Sequence, residues 1–216
     1  MRLFSATTFA VSTCLAAATV AFMSSAGAED KPITIAPTET AEAIFAGGCF
    51  WCVESDFDKV DGVLETISGY TGGTLDNPTY KQVSYEDTGH YEAVKIVYDP
   101  ATVSYNELLD YFWRHVDPTD ADGQFCDRGE SYRTAIFVGS ENERVQAAAS
   151  KATLDGSGVL EAPVVTPVIT ASEFYAAEDY HQDYYTKNPI RYRYYRNACG
   201  RDRTIRRVWA GENAEG

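Results

Sequence analysis

Apolar and polar residues alternate along some short stretches of this chain and repeat at helical spacing along others, and the two patterns take turns. Ala41–Ala46 reads as a strand, Gly47-Gly48 as a turn and Cys49–Val60 as a helix. Val63–Tyr70 is a second strand, followed by a loop rich in Gly, Thr, Asn and Pro, and His90–Tyr98 is a third, stopped by Asp99-Pro100. Ser104 then caps a helix whose Leu108, Leu109, Phe112 and Trp113 share one face, with Glu107 at the capping-box position. A loop with Asp, Gly and Pro leads to a fourth strand, Tyr132–Val138. The order β-α-β-β-α-β is that of the split βαβ unit. The expected fold class is therefore α+β, a ferredoxin-like two-layer sandwich with its helices largely on one face. A helix over Glu141–Leu154, a strand over Val164–Thr170 and a helix near Glu178–Tyr185 extend it, and a C-terminal extension follows.

The chain's start has a different pattern. Arg2 is the one charge among the first 28 residues, an apolar run covers about Phe9 to Met23, and Ala26-Gly27-Ala28 supplies small residues before acidic Glu29-Asp30. Residues 1–28 read as a secretory signal peptide, the run being shorter than the ~20 residues a membrane span requires. The expected product is exported, in a periplasm, with no membrane contact after leader removal. Residues 29–40 read as a polar linker.

Composition narrows the class further. A length of 216 residues supports one domain with a real core. A hydrophobic share of 44% with 13% aromatics excludes disorder. The net charge of −14 argues against nucleic acid or an anionic membrane surface as the main partner. The acids are unevenly spread: Lys187–Arg207 holds eight basic residues and a single acid, Asp202. Such a tail is expected to wrap over its own acidic body and to carry Cys199 with it.

Cys49, Cys52, Cys126 and Cys199 remain after the leader. A domain of this size does not depend on disulfide staples, so chemistry is open to them. Gly47-Gly48-Cys49-Phe50-Trp51-Cys52 places a sulfur where a helix begins, and the helix dipole there is expected to lower the Cys49 pKa. Phe50 and Trp51 add apolar surface beside it. A thiolate next to an aromatic pocket suits a substrate with an apolar end and an electrophilic atom, and oxidised methionine fits. Its oxygen must be protonated to leave. Glu92 alternates in phase with Val94, Ile96 and Tyr98 on a largely apolar strand face, where burial raises a carboxyl's pKa. No His, Cys or Asp spacing matches a metal site.

Gly48-Cys49-Phe50-Trp51 with Glu54, Asn77-Pro78-Thr79-Tyr80, Thr88-Gly89-His90-Tyr91-Glu92-Ala93-Val94, Asp127-Arg128-Gly129-Glu130-Ser131-Tyr132-Arg133 and Glu178-Asp179-Tyr180-His181-Gln182-Asp183-Tyr184 occur in that order. Together they resemble the class A peptide-methionine sulfoxide reductases, from about Ala41 to Pro189. The resemblance implies a reductase domain over 41–190 and a basic tail over 191–216. By position it implies Cys49 as nucleophile, Phe50 and Trp51 as the pocket for the sulfoxide methyl, and Glu92 as proton donor. It implies Tyr80 and Tyr132 as hydroxyls on the sulfoxide oxygen, with Asp127 supporting them. His90 and His181 read as structural. The implied reaction reduces the S epimer through a Cys49 sulfenic acid and then a disulfide. No cofactor is implied; an external dithiol such as thioredoxin is, together with oxidised proteins as substrate and a monomeric state.

This chain departs from the family pattern at Cys52, where many members have Gly, and in its tail, which is basic rather than glycine-rich. Cys199, beside Gly200, is the first candidate to resolve the sulfenic acid, and Cys52 competes from three residues away. Cys126 is expected to pack in the loop beside Asp127. The rival readings are an exported CxxC thiol–disulfide oxidoreductase, whose Trp would normally precede the first Cys, and a non-catalytic module binding peptides or glycans through Tyr and Trp.

Overall fold

The computed structural model describes residues 39–210, so the leader and most of the proposed linker lie outside the described residues. A six-stranded sheet runs through the domain. Its elements are β1 (Ala41–Gly47), β2 (Val63–Thr71), β3 (Tyr91–Tyr98), β6 (Thr134–Val138), β7 (Val168–Thr170) and β8 (Tyr175–Ala176). The order across the sheet is β7-β6-β1-β3-β2-β8, with β6 and β7 parallel and every other pair antiparallel. The central β6-β1-β3-β2 arrangement is the one a split βαβ unit produces. A hairpin of β4 (Gly123–Gln124) and β5 (Asp127–Arg128) stands apart.

Helices α1 (Phe50–Phe57), α3 (Tyr105–Arg114) and α4 (Glu141–Gly156) belong to the split unit and its extension, and α2 (Tyr80–Tyr85) is a short helix between β2 and β3. Ser104 starts α3 as expected: its hydroxyl accepts from the Glu107 amide at 3.3 Å, while the Glu107 carboxylate accepts from the Ser104 amide at 2.8 Å. Thr79 and Gln82 form the same reciprocal cap on α2. The core against one sheet face joins Phe45 of β1 to Phe57 and Phe112, with ring centroids 5.5 Å and 5.0 Å apart. The opposite face is smaller and built from Ala46, Ala93, Ala135 and Phe137.

Three expectations change. The strand expected over Val164–Thr170 is confined to Val168–Thr170, since Pro167 has no amide to donate and lends only its carbonyl, to the Ile136 amide at 3.0 Å. The helix expected near Glu178–Tyr185 is a turn followed by α5 (Tyr184–Lys187), with Asp183 in the left-handed region at φ 52°. The basic tail forms two further helices, α6 (Pro189–Cys199) and α7 (Arg201–Val208), joined at Gly200 with φ 75°. Tyr192, Arg201 and Trp209 are buried, so these helices pack on the body through rings and guanidinium groups.

Candidate active site

Strand β1 delivers the chain to Gly47-Gly48, and Gly48 turns it with φ 83°. A side chain is excluded there, because a Cβ would sit 2.5 Å from the Cβ of Gln124. The turn leaves Cys49 at the N-cap of α1, with its carbonyl accepting from the Cys52 amide at 3.0 Å. Strand β3 brings Glu92 to the same point: its Oε2 accepts from the Phe50 amide at 3.0 Å. Glu92 is buried, and loss of solvation pushes its pKa up to about 8, against which the Phe50 amide works. Its carboxyl therefore holds a proton at neutral pH.

Cys49 behaves differently from the sequence expectation. Burial pushes its thiol well up, helped by the Cys52 sulfur beside it and by the Asp127 carboxylate. The helix N-terminus does not reverse this, because the Phe50 amide is committed to the Glu92 carboxyl rather than to the sulfur. The acidic thiol of the pair is Cys52, lowered first by the hydrogen bond from Cys49 and then by the guanidinium groups of Arg201 and Arg196.

One cavity of about 70 Å³ is lined by Cys49, Phe50, Trp51, Tyr80, Glu92, Asp127, Tyr132 and Tyr195. All of the expected residues except Cys199 thus meet around a space that admits the end of a side chain. The Tyr132 hydroxyl reaches both Glu92 and the Tyr80 hydroxyl, and burial raises both tyrosines, keeping them neutral donors. Asp127 is raised by burial and accepts from the Tyr195 hydroxyl. A groove of about 450 Å³ lies elsewhere, by Trp113, Leu154 and Trp209, and no cysteine lines it.

Two residues of this site were not read as functional. Tyr195 comes from α6 and also reaches the Cys49 sulfur. The signal was its spacing with Tyr192, Arg196 and Cys199, which puts all four on one helical face. His181, read as structural, fixes the indole of the pocket: Nε1 of Trp51 donates to its Nδ1 at 3.0 Å. Tyr184 stacks on the indole with centroids 3.7 Å apart. Burial lowers the His181 pKa, so the ring is neutral and free to accept at Nδ1.

Cys199, expected to meet Cys49, is joined in a disulfide to Cys126 across 73 residues of sequence. The same bond corrects the reading of Cys126 as a packing residue. It ties the end of α6 to the β4–β5 hairpin, with the Cys199 sulfur 3.8 Å from Oδ2 of Asp127. Cys49 and Cys52 are both free thiols. The cluster of potential metal ligands found among the described residues, Cys126, Asp127 and Cys199, has its two sulfurs bonded to each other.

A buried thiol, a protonated carboxyl and an aromatic wall around one small cavity, with a second free thiol one helical turn behind it, define a thiol-based oxidoreductase. A family model described as peptide methionine sulfoxide reductase matches residues 41–213, and the chain belongs to that family. The peptide methionine sulfoxide reductase MsrA 2 of Rhizobium meliloti is 56% identical over 176 residues, 80% of this chain and 87% of that protein. The MsrA of Bacillus subtilis is 49% identical over 170 residues, 79% of this chain and 96% of that one. Among solved structures, reduced Mxr1 from Saccharomyces cerevisiae aligns with a TM-score of 0.66 and 30% identity, covering 71% of this chain and 88% of that one. Methionine sulfoxide reductase A of Corynebacterium diphtheriae aligns at 0.62 and 33%, covering 70% and 76%.

Proposed function

We propose that this chain reduces the S epimer of methionine sulfoxide, in proteins and free, to methionine. The observation that carries the reading is the convergence of the Cys49 sulfur, the protonated Glu92 carboxyl and the Trp51 wall on one cavity of side-chain size. The sulfoxide methyl lies against Phe50 and Trp51, and its oxygen faces the hydroxyls of Tyr80 and Tyr132 and the carboxyl of Glu92. Cys49 attacks the sulfoxide sulfur. Its proton passes to the Cys52 sulfur, to which it already donates, while Glu92 protonates the departing oxygen. Methionine leaves and the oxygen stays on Cys49 as a sulfenic acid.

The resolving role expected of Cys199 passes to Cys52 in this proposal. The Cys199 sulfur is engaged with Cys126, whereas Cys52 is free and adjacent. Attack by Cys52 forms the Cys49–Cys52 bond and expels the oxygen as water; a thioredoxin-like dithiol then reduces that disulfide. The apolar leader and the small residues after it support export to a periplasm, where oxidised proteins are the substrate. The enzyme acts as a monomer, without a cofactor.

The test uses mature protein, dithiothreitol and a peptide carrying racemic methionine sulfoxide, with each epimer followed by chromatography. The expected result is loss of the S epimer alone, abolished by Cys49→Ser. Consumption of neither epimer, with reduction of insulin disulfides instead, overturns the proposal in favour of a CxxC oxidoreductase.

A further inference from the structure

Cys52 and Asp56 are one helical turn apart on α1, and the basic tail closes over that face. Nη1 of Arg196 lies 2.8 Å from Oδ1 of Asp56, and Nε of Arg201 lies 3.6 Å from Oδ2. Arg201 is 2% exposed, donating from Nη1 to the Gly47 carbonyl at 3.0 Å and from Nη2 to the His115 carbonyl at 2.8 Å. Its Nε has no hydrogen-bond partner. Arg196 also donates to the Tyr192 hydroxyl at 3.0 Å, and Tyr192 belongs to the same buried cluster as Cys52. Asp202, the second carboxylate on Arg196, is 42% exposed and so is screened by water. The two guanidinium groups face the buried carboxylate of Asp56, the water-screened Asp202 at 2.6 Å from Arg196 and, on the Arg201 side, the half-buried Asp127, and with them they cover the face of α1 that carries Cys52.

We infer that Arg196 and Arg201 are positioning residues of the resolving step, favouring loss of the Cys52 proton as its sulfur attacks the Cys49 sulfenic acid. The inference rests on the proposed function and on Cys52 as resolver. The other groups facing Cys52 do not supply a positive charge. On α1 these are Cys49 and Asp56, on β3 Glu92, which has given up its proton in the preceding step, on α5 Tyr184, on α6 Tyr192, and beside Asp56 a His115 kept neutral by burial. In the step itself the Cys52 sulfur forms a bond to the Cys49 sulfur and the Cys49 sulfur–oxygen bond breaks. Cys52 is oxidised, Cys49 is reduced from sulfenic acid to disulfide, and the proton Cys52 took from Cys49 leaves on the water formed.

The test is a single turnover of the mature chain with S-sulfoxide peptide and no reductant, quenched over time. It follows methionine formation, and separately the decay of the dimedone-trapped Cys49 sulfenic acid into the Cys49–Cys52 disulfide. Arg196→Gln and Arg201→Gln are expected to lower the ratio of condensation to methionine formation at least tenfold, and to move the pH midpoint of condensation up by about one unit. Arg196→Lys and Arg201→Lys keep the charge and are expected to keep the midpoint near the parent's. Should Arg201→Gln fail to fold, Arg196→Gln, at a side chain 14% exposed, and the Lys variants carry the comparison. A parent-like ratio and midpoint in folded Gln variants overturns the inference. Cys52→Ser separates the two failures. If it still forms a disulfide at Cys49, the resolver reading is wrong. If it accumulates sulfenic acid while the arginine variants condense normally, only the role of the arginines is.

Discussion

Glu92→Gln should abolish most of the activity and at the same time stabilise the protein. The carboxyl is 1% exposed and its pKa is pushed from the ordinary 4.5 to about 8 by burial. Folding at neutral pH therefore requires the group to take up a proton that the unfolded chain does not hold. The sign follows from a raised folded-state pKa. The group's contribution is fully favourable below about pH 4.5, declines as pH rises, and is lost by about pH 8. At pH 7 the cost relative to a group that needs no proton is about 3 kcal/mol. Glutamine needs none and keeps an oxygen to accept from the Phe50 amide at its 3.0 Å site. The expected gain is thus up to about 3 kcal/mol at pH 7, with little at pH 4.5, read from urea unfolding at several pH values. Removing the acid should slow methionine formation by roughly 10²–10⁴-fold. In the parent, that step should fall about tenfold between pH 7 and pH 9 as Glu92 ionises, and in the variant this fall should vanish. A variant that unfolds at lower urea than the parent at pH 7, or that keeps the alkaline decline, would refute the assignment of Glu92 as buried acid.

Three further outcomes follow from the geometry. Cys126→Ser with Cys199→Ser should keep multiple turnover with dithiothreitol while losing about 4 kcal/mol, the loop-closure contribution for a 73-residue separation, read by thermal unfolding in the absence of reductant; loss of turnover in the folded double variant would return the resolving role to Cys199. Gly48→Ala should destabilise by about 1–3 kcal/mol and lower kcat, because its Cβ meets Gln124 at 2.5 Å and its φ is 83°; a parent-like unfolding curve counts against the close approach. His181→Phe keeps a ring beside Trp51 but removes the acceptor at 3.0 Å, so KM for the sulfoxide peptide should rise by up to about tenfold with a smaller change in kcat; an unchanged KM means the indole is held by Tyr184 alone.

The parts legible in the sequence are those governed by local pattern. Period-two alternation put Glu92 on the face of Val94 and Ile96, and all three are buried there. The Ser104 cap and the apolar stripe of α3 are also local signals. The tail was not legible as structure, because α6 and α7 carry little aliphatic periodicity. They attach through Tyr192, Trp209 and the guanidinium of Arg201, residues whose polar ends make them look like surface. The Cys126–Cys199 bond had no local signal either, its partners being 73 residues apart. The Cys49 expectation failed for a tertiary reason. A helix start lowers a thiol's pKa when its amides are free to face the sulfur, and here a residue from another strand has taken the first of them.

That failure explains how the two thiols divide the work. Cys49, the proposed nucleophile, lies among Glu92, Asp127 and apolar rings, a setting that opposes a thiolate. Cys52 lies one turn on, where the tail's guanidinium groups favour the anion. In the proposed reaction the anion is favoured on Cys52, which does not line the cavity, and Cys52 is the neighbour to which Cys49 can lose its proton. Chemistry then waits for a sulfoxide, whose oxygen accepts the Glu92 proton as its sulfur takes the electrons of Cys49. A chain with glycine at position 52 has no sulfur there to receive that proton or to close the disulfide. On the inference drawn above, the basic tail and the second cysteine work together: the guanidinium groups that dock the tail on Asp56, Gly47 and His115 also lie beside Cys52.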